Sequence, residues 1–132
     1  MFGLRIENSA KWLLPGDILV LASVFAAGTV HHSSIELLFS DPGYVFLTVI
    51  PFLLGWLIAG PLLGAYGPRA VASAHESVIV AVQAWVFGAV VASMIRATPL
   101  FSGGASVTFF LVTLGSGAAG LAIWRAVAIW IR

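Results

Sequence analysis

The sequence predicts an all-α fold: a four-span transmembrane helix bundle with both termini cytoplasmic. Hydrophobic residues make up 61% of the 132 residues and charged residues only 8%, with a mean hydropathy of +1.08. A water-soluble domain carries roughly a quarter of its residues charged, so this chain lacks the polar shell that such a domain needs. Apolar stretches recur at residues 15–32, 44–64, 74–96 and 104–131, and a helix crossing the ~30 Å hydrocarbon core needs about 20 residues. The basic residues are unevenly placed. Arg5 and Lys11 precede span one, Arg69 lies between spans two and three, and Arg132 ends the chain, whereas the 31–43 loop carries Glu36 and Asp41 but no Lys or Arg. Lys and Arg favour the cytoplasmic side, which puts both termini there.

The spans occupy nearly the whole chain and leave no room for a soluble domain, so residues 1–132 read as one integral membrane domain. A formal net charge of +1 without a basic cluster excludes nucleic acid as a partner. With no cysteine there is no disulfide framework, thiolate metal site or covalent haem attachment.

Each span carries its own punctuation. Pro15 suits the first turn of span one, where a missing N–H costs nothing. The flanking Arg5 and Lys11 and the small Ala26-Ala27-Gly28 resemble a cleaved signal. The apolar stretch is nevertheless longer than an h-region of about 7–15 residues, and Asp17 would have no use in a discarded peptide. Span one is therefore read as retained. Ser33-Ser34-Ile35-Glu36 is a capping-box pattern and predicts a short helix through Leu37–Phe39 in the outer loop, stopped by Asp41-Pro42-Gly43. Pro51 and Pro61 remove two donors from span two and leave the Leu47 and Leu57 carbonyls without their usual partners, predicting a departure from a straight helix. Ser73-Ala74-His75-Glu76 opens span three as a second capping box, and Ala97-Thr98-Pro99 closes it. Trp12 and Trp130 suit the inner interface, where an indole keeps its ring in the boundary and its N–H wet.

Small residues allow helices to approach closely where burial alone gives little attraction. Span two holds Gly60 and Gly64 four residues apart, and span three holds Ala84, Gly88 and Ala92 at the same spacing. In span four, Gly117, Gly120 and Trp124 lie on one side, where a partner backbone could approach beside an indole. Internal packing is the simpler use of each motif, and oligomer contact the alternative.

The polar residues inside the spans are the candidate functional positions. Asp17 falls in the first turn of span one, where a carboxylate suits the helix dipole, and it shares a face with Leu21, Val24, Gly28 and His32. Arg125 lies about two turns from the end of span four, so it either snorkels to the surface or pairs with Asp17 near the same side. Pairing is favoured by the insertion cost of a lone guanidinium. Glu76 and Gln83 are seven apart on span three; Glu76 has a capping role and Gln83 is expected to bond a neighbouring helix. Arg96 suits the C-terminal dipole of span three. His31, His32, Glu36 and Asp41 form the metal-like cluster, but the capping box claims Glu36, and no metal site, cofactor site or catalytic residue is assigned. The sequence has no H-E-x-x-H, no G-x-S-x-G and no phosphate-cradling glycine loop.

Several landmarks converge on a known pattern: Asp17, Ala27-Gly28 followed by His32, Pro51-Phe52-Leu53-Leu54-Gly55-Trp56, Trp85, Arg96 and Trp124-Arg125. Together they resemble the uncharacterised domain-of-unknown-function family 3054, small four-span membrane proteins of prokaryotes. Members often carry two arginines between the glycine and the histidine, where this chain has Thr29 and Val30, so an outer basic role does not carry over. The resemblance implies four spans and residence in the cytoplasmic membrane, and brings no activity or cofactor.

The expected function is that of a non-enzymatic membrane protein, self-assembling or supporting a larger complex, with membrane lipids around it. The first alternative is a small-solute or drug-type transporter or channel working as an oligomer. Asp17 is weakly similar to the span-one carboxylate of the small multidrug-resistance transporters. The second is a lipid- or isoprenoid-binding protein lined by Trp56, Trp85 and Trp124.

Overall fold

A computed structural model describes residues 6–32, 39–98 and 107–131, with side chains placed for all of these except 28–32, 44, 45, 48, 108 and 109. Among the described residues lie four long helices: α1 (Leu13–His32), α2 (Pro42–Leu62), α3 (Ala74–Arg96) and α4 (Val107–Ile131). Short 3₁₀ turns at Asn8–Ala10 and Pro68–Val71 precede α1 and α3, and no strand occurs among the described residues. The stretches Asn8–Ala27, Ala74–Arg96 and Phe110–Ile131 are each long and apolar enough to cross a membrane, and Val49–Leu62 is a shorter apolar stretch. Of the short outer-loop helix expected through Leu37–Phe39, residues 33–38 lie outside the described residues, and Phe39 and Ser40 are helical.

Helix boundaries follow local chemistry. α1 begins at Leu13, so Pro15 sits in its first turn, where backbone N–H groups have no intrahelical partner. Pro42, expected to act with Asp41 and Gly43 as a stop, instead opens α2; its fixed φ and missing N–H fit a helix start equally well. α2 remains helical through Pro51 and ends one residue after Pro61. There the Ala65 N–H reaches back to the Gly60 carbonyl at 2.9 Å and the Gly64 N–H to the Pro61 carbonyl at 3.5 Å. Gly64 has φ +89°. This pairing is a Schellman stop, which places its left-handed residue where glycine carries no Cβ penalty. Gly60 and Gly64 therefore do not form the helix-packing motif expected of their spacing: one lies against the Trp56 and Tyr66 rings, and the other makes the turn.

The opening of α3 is a capping box made by half. Ser73 Oγ accepts the Glu76 N–H at 3.1 Å, while the Glu76 carboxylate turns outward to Arg69 Nε at 2.5 Å. At the far end the Thr98 hydroxyl and N–H both donate to the Ile95 carbonyl, at 2.7 and 3.1 Å.

Each helix packs against the next in sequence, and α4 closes back onto α1. α3 buries Ser77, Val80, Ala81, Ala84, Trp85, Gly88, Ala89 and Ala92, one face at helical spacing. The expected Ala84, Gly88 and Ala92 row is thus internal. A Cβ on Gly88 would lie 3.3 Å from the Gly55 carbonyl oxygen, and one on Gly55 would collide with the Gly88 carbonyl and reach within 3.1 Å of the Ala92 nitrogen. α2 and α3 touch backbone to backbone here. Beside this contact the rings of Phe25 and Phe52 stack at 4.2 Å, and Trp85 lies 5.8 Å from Phe25 and 6.4 Å from Trp56. Trp85 Nε1 donates to the Leu114 carbonyl at 3.1 Å, its indole seated on Gly117. Gly117 thus receives a side chain, where a partner backbone was expected.

The Gly55–Gly88 contact generates a paired prediction. Gly55→Ala should cost about 1–3 kcal/mol or more, because the added methyl meets backbone that cannot rotate away. Gly115→Ala should leave stability unchanged or slightly raised, since Gly115 is exposed and a Cβ there meets nothing within 4 Å. Thermal unfolding in detergent, followed by circular dichroism, separates the two.

Candidate functional site: a buried ion pair and its hydrogen-bond network

Because α1 starts at Leu13, Asp17 falls a full turn inside the helix, in the buried row Leu13, Asp17, Leu21 and Phe25. It is not the helix-start acid that the sequence suggested, and the helix dipole does not account for it. Arg125 occupies the corresponding inward position on α4. Both side chains are 0% exposed, so Arg125 does not snorkel.

The two groups meet in a two-pronged ion pair. Arg125 Nε donates to Asp17 Oδ1 at 3.0 Å and Nη2 to Oδ2 at 2.7 Å. This fork matches the planar guanidinium to the carboxylate and adds direction to the charge attraction. The remaining Arg125 nitrogen, Nη1, donates to the Ala65 carbonyl at 3.0 Å and to Ser77 Oγ at 3.3 Å. On the other side the Tyr66 hydroxyl donates to Asp17 Oδ2 at 2.5 Å and accepts from Trp56 Nε1 at 2.7 Å. The guanidinium carbon lies 5.3 Å from the Tyr66 ring centroid, within cation–π range.

Each of the four long helices contributes: Asp17 from α1, Trp56 from α2, Ser77 from α3 and Arg125 from α4, with Ala65 and Tyr66 from the α2–α3 connection. The starts of α1 and α3 therefore lie beside the ends of α2 and α4, and neighbouring helices run antiparallel. The Schellman turn matters here, because it reverses the chain at Gly64 and delivers the Ala65 carbonyl and the Tyr66 ring to the pair. Burial pushes the Tyr66 phenol well above its ordinary range. The Asp17 charge and hydrogen bond push it further, against smaller opposing effects of Trp56 and Arg125. The phenol is thus held protonated, as its role as donor to Asp17 requires.

The other sequence-predicted positions lie elsewhere. Glu76 pairs with Arg69 at the surface. Gln83 is exposed on the side of α3 opposite its buried face, so it does not turn to a neighbouring helix as expected. Arg96 sits in the last turn of α3, where a cation suits the helix end. Trp56 and Trp85 are fully buried and packed against protein rings, which leaves them no face for a ligand cage. Trp124 lies apart from them, against Gly16 and edge-on to Trp12 at 6.4 Å. The His32 side chain and Glu36 lie outside the described residues, and Asp41 is exposed. Among the described residues no group of three or more His, Cys, Asp or Glu is placed to hold a metal ion.

Tyr66, Ser77 and the Ala65 carbonyl were not anticipated from sequence. Two signals were available. Gly64 shortly after Pro61 marks a helix stop and puts Tyr66 at the end of the bundle shared by Asp17 and Arg125. Ser77 extends the small-residue face of Ala84, Gly88 and Ala92 back by one heptad.

Among the described residues, a helical fold whose buried Asp17 and Arg125 are tied together, and three of whose helices are long and apolar enough to cross a membrane, fits the class of small helical membrane proteins. A family model described as protein of unknown function (DUF3054) matches residues 14–128. The chain belongs to the DUF3054 family, and the matched segment contains Asp17, Trp56, Tyr66, Ser77 and Arg125. No curated protein and no solved structure matches it.

The network predicts strong coupling between Asp17 and Arg125. Asp17→Asn or Arg125→Gln alone should cost about 3–5 kcal/mol, because each leaves an uncompensated buried charge. The double variant should lose clearly less than the sum. A double-mutant cycle scored by folded protein recovered in detergent measures this, and additive losses would mean the groups act separately.

Proposed function

We propose that the chain is a non-enzymatic, multi-pass integral protein of the cytoplasmic membrane that assembles with itself or supports a larger membrane complex. The observation behind this reading is the inverted placement of polarity. Asp17 and Arg125 are fully buried, while large apolar side chains such as Met94 (66% exposed) and Ile123 (67% exposed) face outward. That arrangement suits a lipid surround, which makes buried charge tolerable only when paired and lets apolar side chains remain outside. A structural role is favoured because the carboxylate is engaged on both oxygens by Arg125 and also by Tyr66. A transporter of the kind that couples through a span-one acid needs that acid free to exchange partners.

Native mass spectrometry from a mild detergent tests the proposal. The expected result is a defined oligomer or complex without a stoichiometric small molecule. A monomer carrying one copy of a lipid or pigment would favour the lipid- or isoprenoid-binding alternative and overturn it. Orientation follows from Arg5, Lys11, Arg69 and Arg132 set against a 31–43 loop free of Lys and Arg. Reporter fusions at residue 132 should read as cytoplasmic and those in the 31–43 loop as external. The reverse pattern would invert the topology.

A further inference from the structure

We infer that residues 7–13 form a lid over the Asp17–Arg125 network, with Tyr66 as its latch. The segment has two faces. Ala10 and Leu13 are completely buried, whereas Asn8, Ser9 and Lys11 are exposed. Its 3₁₀ turn touches the second 3₁₀ turn, Pro68–Val71, in the α2–α3 connection, where Ala65 and Ala70 are also completely buried.

The two sides are tied by a backbone hydrogen bond from the Glu7 N–H to the Tyr66 carbonyl at 2.8 Å. Tyr66 therefore works in both directions. Its carbonyl holds the lid, and its hydroxyl holds Asp17 Oδ2 at 2.5 Å. Moving the lid shifts the residue that also supports the ion pair. The closure is light at its Glu7–Ala10 end, where Ala10 is the one buried residue and the Asn8–Ala10 turn has no side-chain cap, while Leu13 and Trp12, which meets Trp124 edge-on, anchor the other end. Segments held by few apolar contacts and isolated backbone bonds open locally at low free energy. Opening admits water to a pair whose strength depends on a dry, low-dielectric surround. The lid thus governs whether this end of the network is sealed or hydrated, and it does so independently of the assembly role proposed above.

The chain has no cysteine, so Ser77→Cys supplies a single thiol beside Arg125, and Ala89→Cys supplies a control at a buried position further along α3. The full chain in detergent is treated with a small charged methanethiosulfonate reagent and the labelling rate is followed by mass. Labelling at position 77 should be slow. Adding Glu7→Pro, which removes the latching N–H, should make it about tenfold faster, the shift expected from losing one hydrogen bond. Ala10→Leu overfills the buried lid contact while keeping that bond, and should act in the same direction. Position 89 should stay unreactive throughout. Rapid labelling at position 77 in the unaltered lid would overturn the inference, as would equal rates with and without the lid variants. A parallel rise at position 89 would also overturn it, since the bundle would then be loosening as a whole.

Discussion

A carboxylate and a guanidinium, both removed from solvent, impose the strongest constraint on this molecule. Neither Asp17 nor Arg125 tolerates the interior alone, since an isolated ionised group in apolar surroundings costs far more than a small fold can offset. Once paired they still have donors and acceptors to satisfy, and the Ala65 carbonyl, Ser77 and Tyr66 take those places. These groups come from different elements, so the pair sets the relative register of all four helices at one end of the bundle. The turn at Gly64 is part of the same constraint. A helix ending one residue earlier or later would rotate the Ala65 carbonyl and the Tyr66 ring away from the charges.

Further along the bundle, contact depends on shape. Glycine serves distinct ends along the chain: Gly55 and Gly88 bring two backbones together, Gly117 and Gly16 seat indoles, and Gly64 turns the chain. In each close approach the missing Cβ is replaced by a neighbour's atoms, which keeps the interior dense around Phe25, Phe52, Trp56 and Trp85. Two of the tryptophans fill this same interior. Trp56 and Trp85 each donate an N–H to a protein acceptor while their rings fill the core.

Much of this was legible from the residues. Helix parity alone places the start of α1 and the end of α4 at one end, so the Asp17–Arg125 pairing could be anticipated from two charges in otherwise apolar runs. The small-residue row of α3 was legible too, because Ala84, Gly88 and Ala92 repeat at helical spacing. Gly60 and Gly64 carry the same spacing and do something different. Spacing records which residues share a helix face, but a helix that stops between them has no such face. Glu76 shows a related limit, since its capping geometry was available while Arg69 offered an opposite charge within reach.

By itself the sequence determined that the chain is helical and apolar outside, that its few charges are exceptional, and which two of them share an end of the bundle. These follow from composition, period and chain direction, all of which are local or cumulative along the chain. Only the tertiary structure decided which groups complete the network, which glycines mark contacts, and that the Glu7 N–H ties the segment before α1 to the Tyr66 carbonyl. Those outcomes depend on rotations and offsets between helices. They are set by how side chains interlock across interfaces, to which residues distant in sequence contribute together.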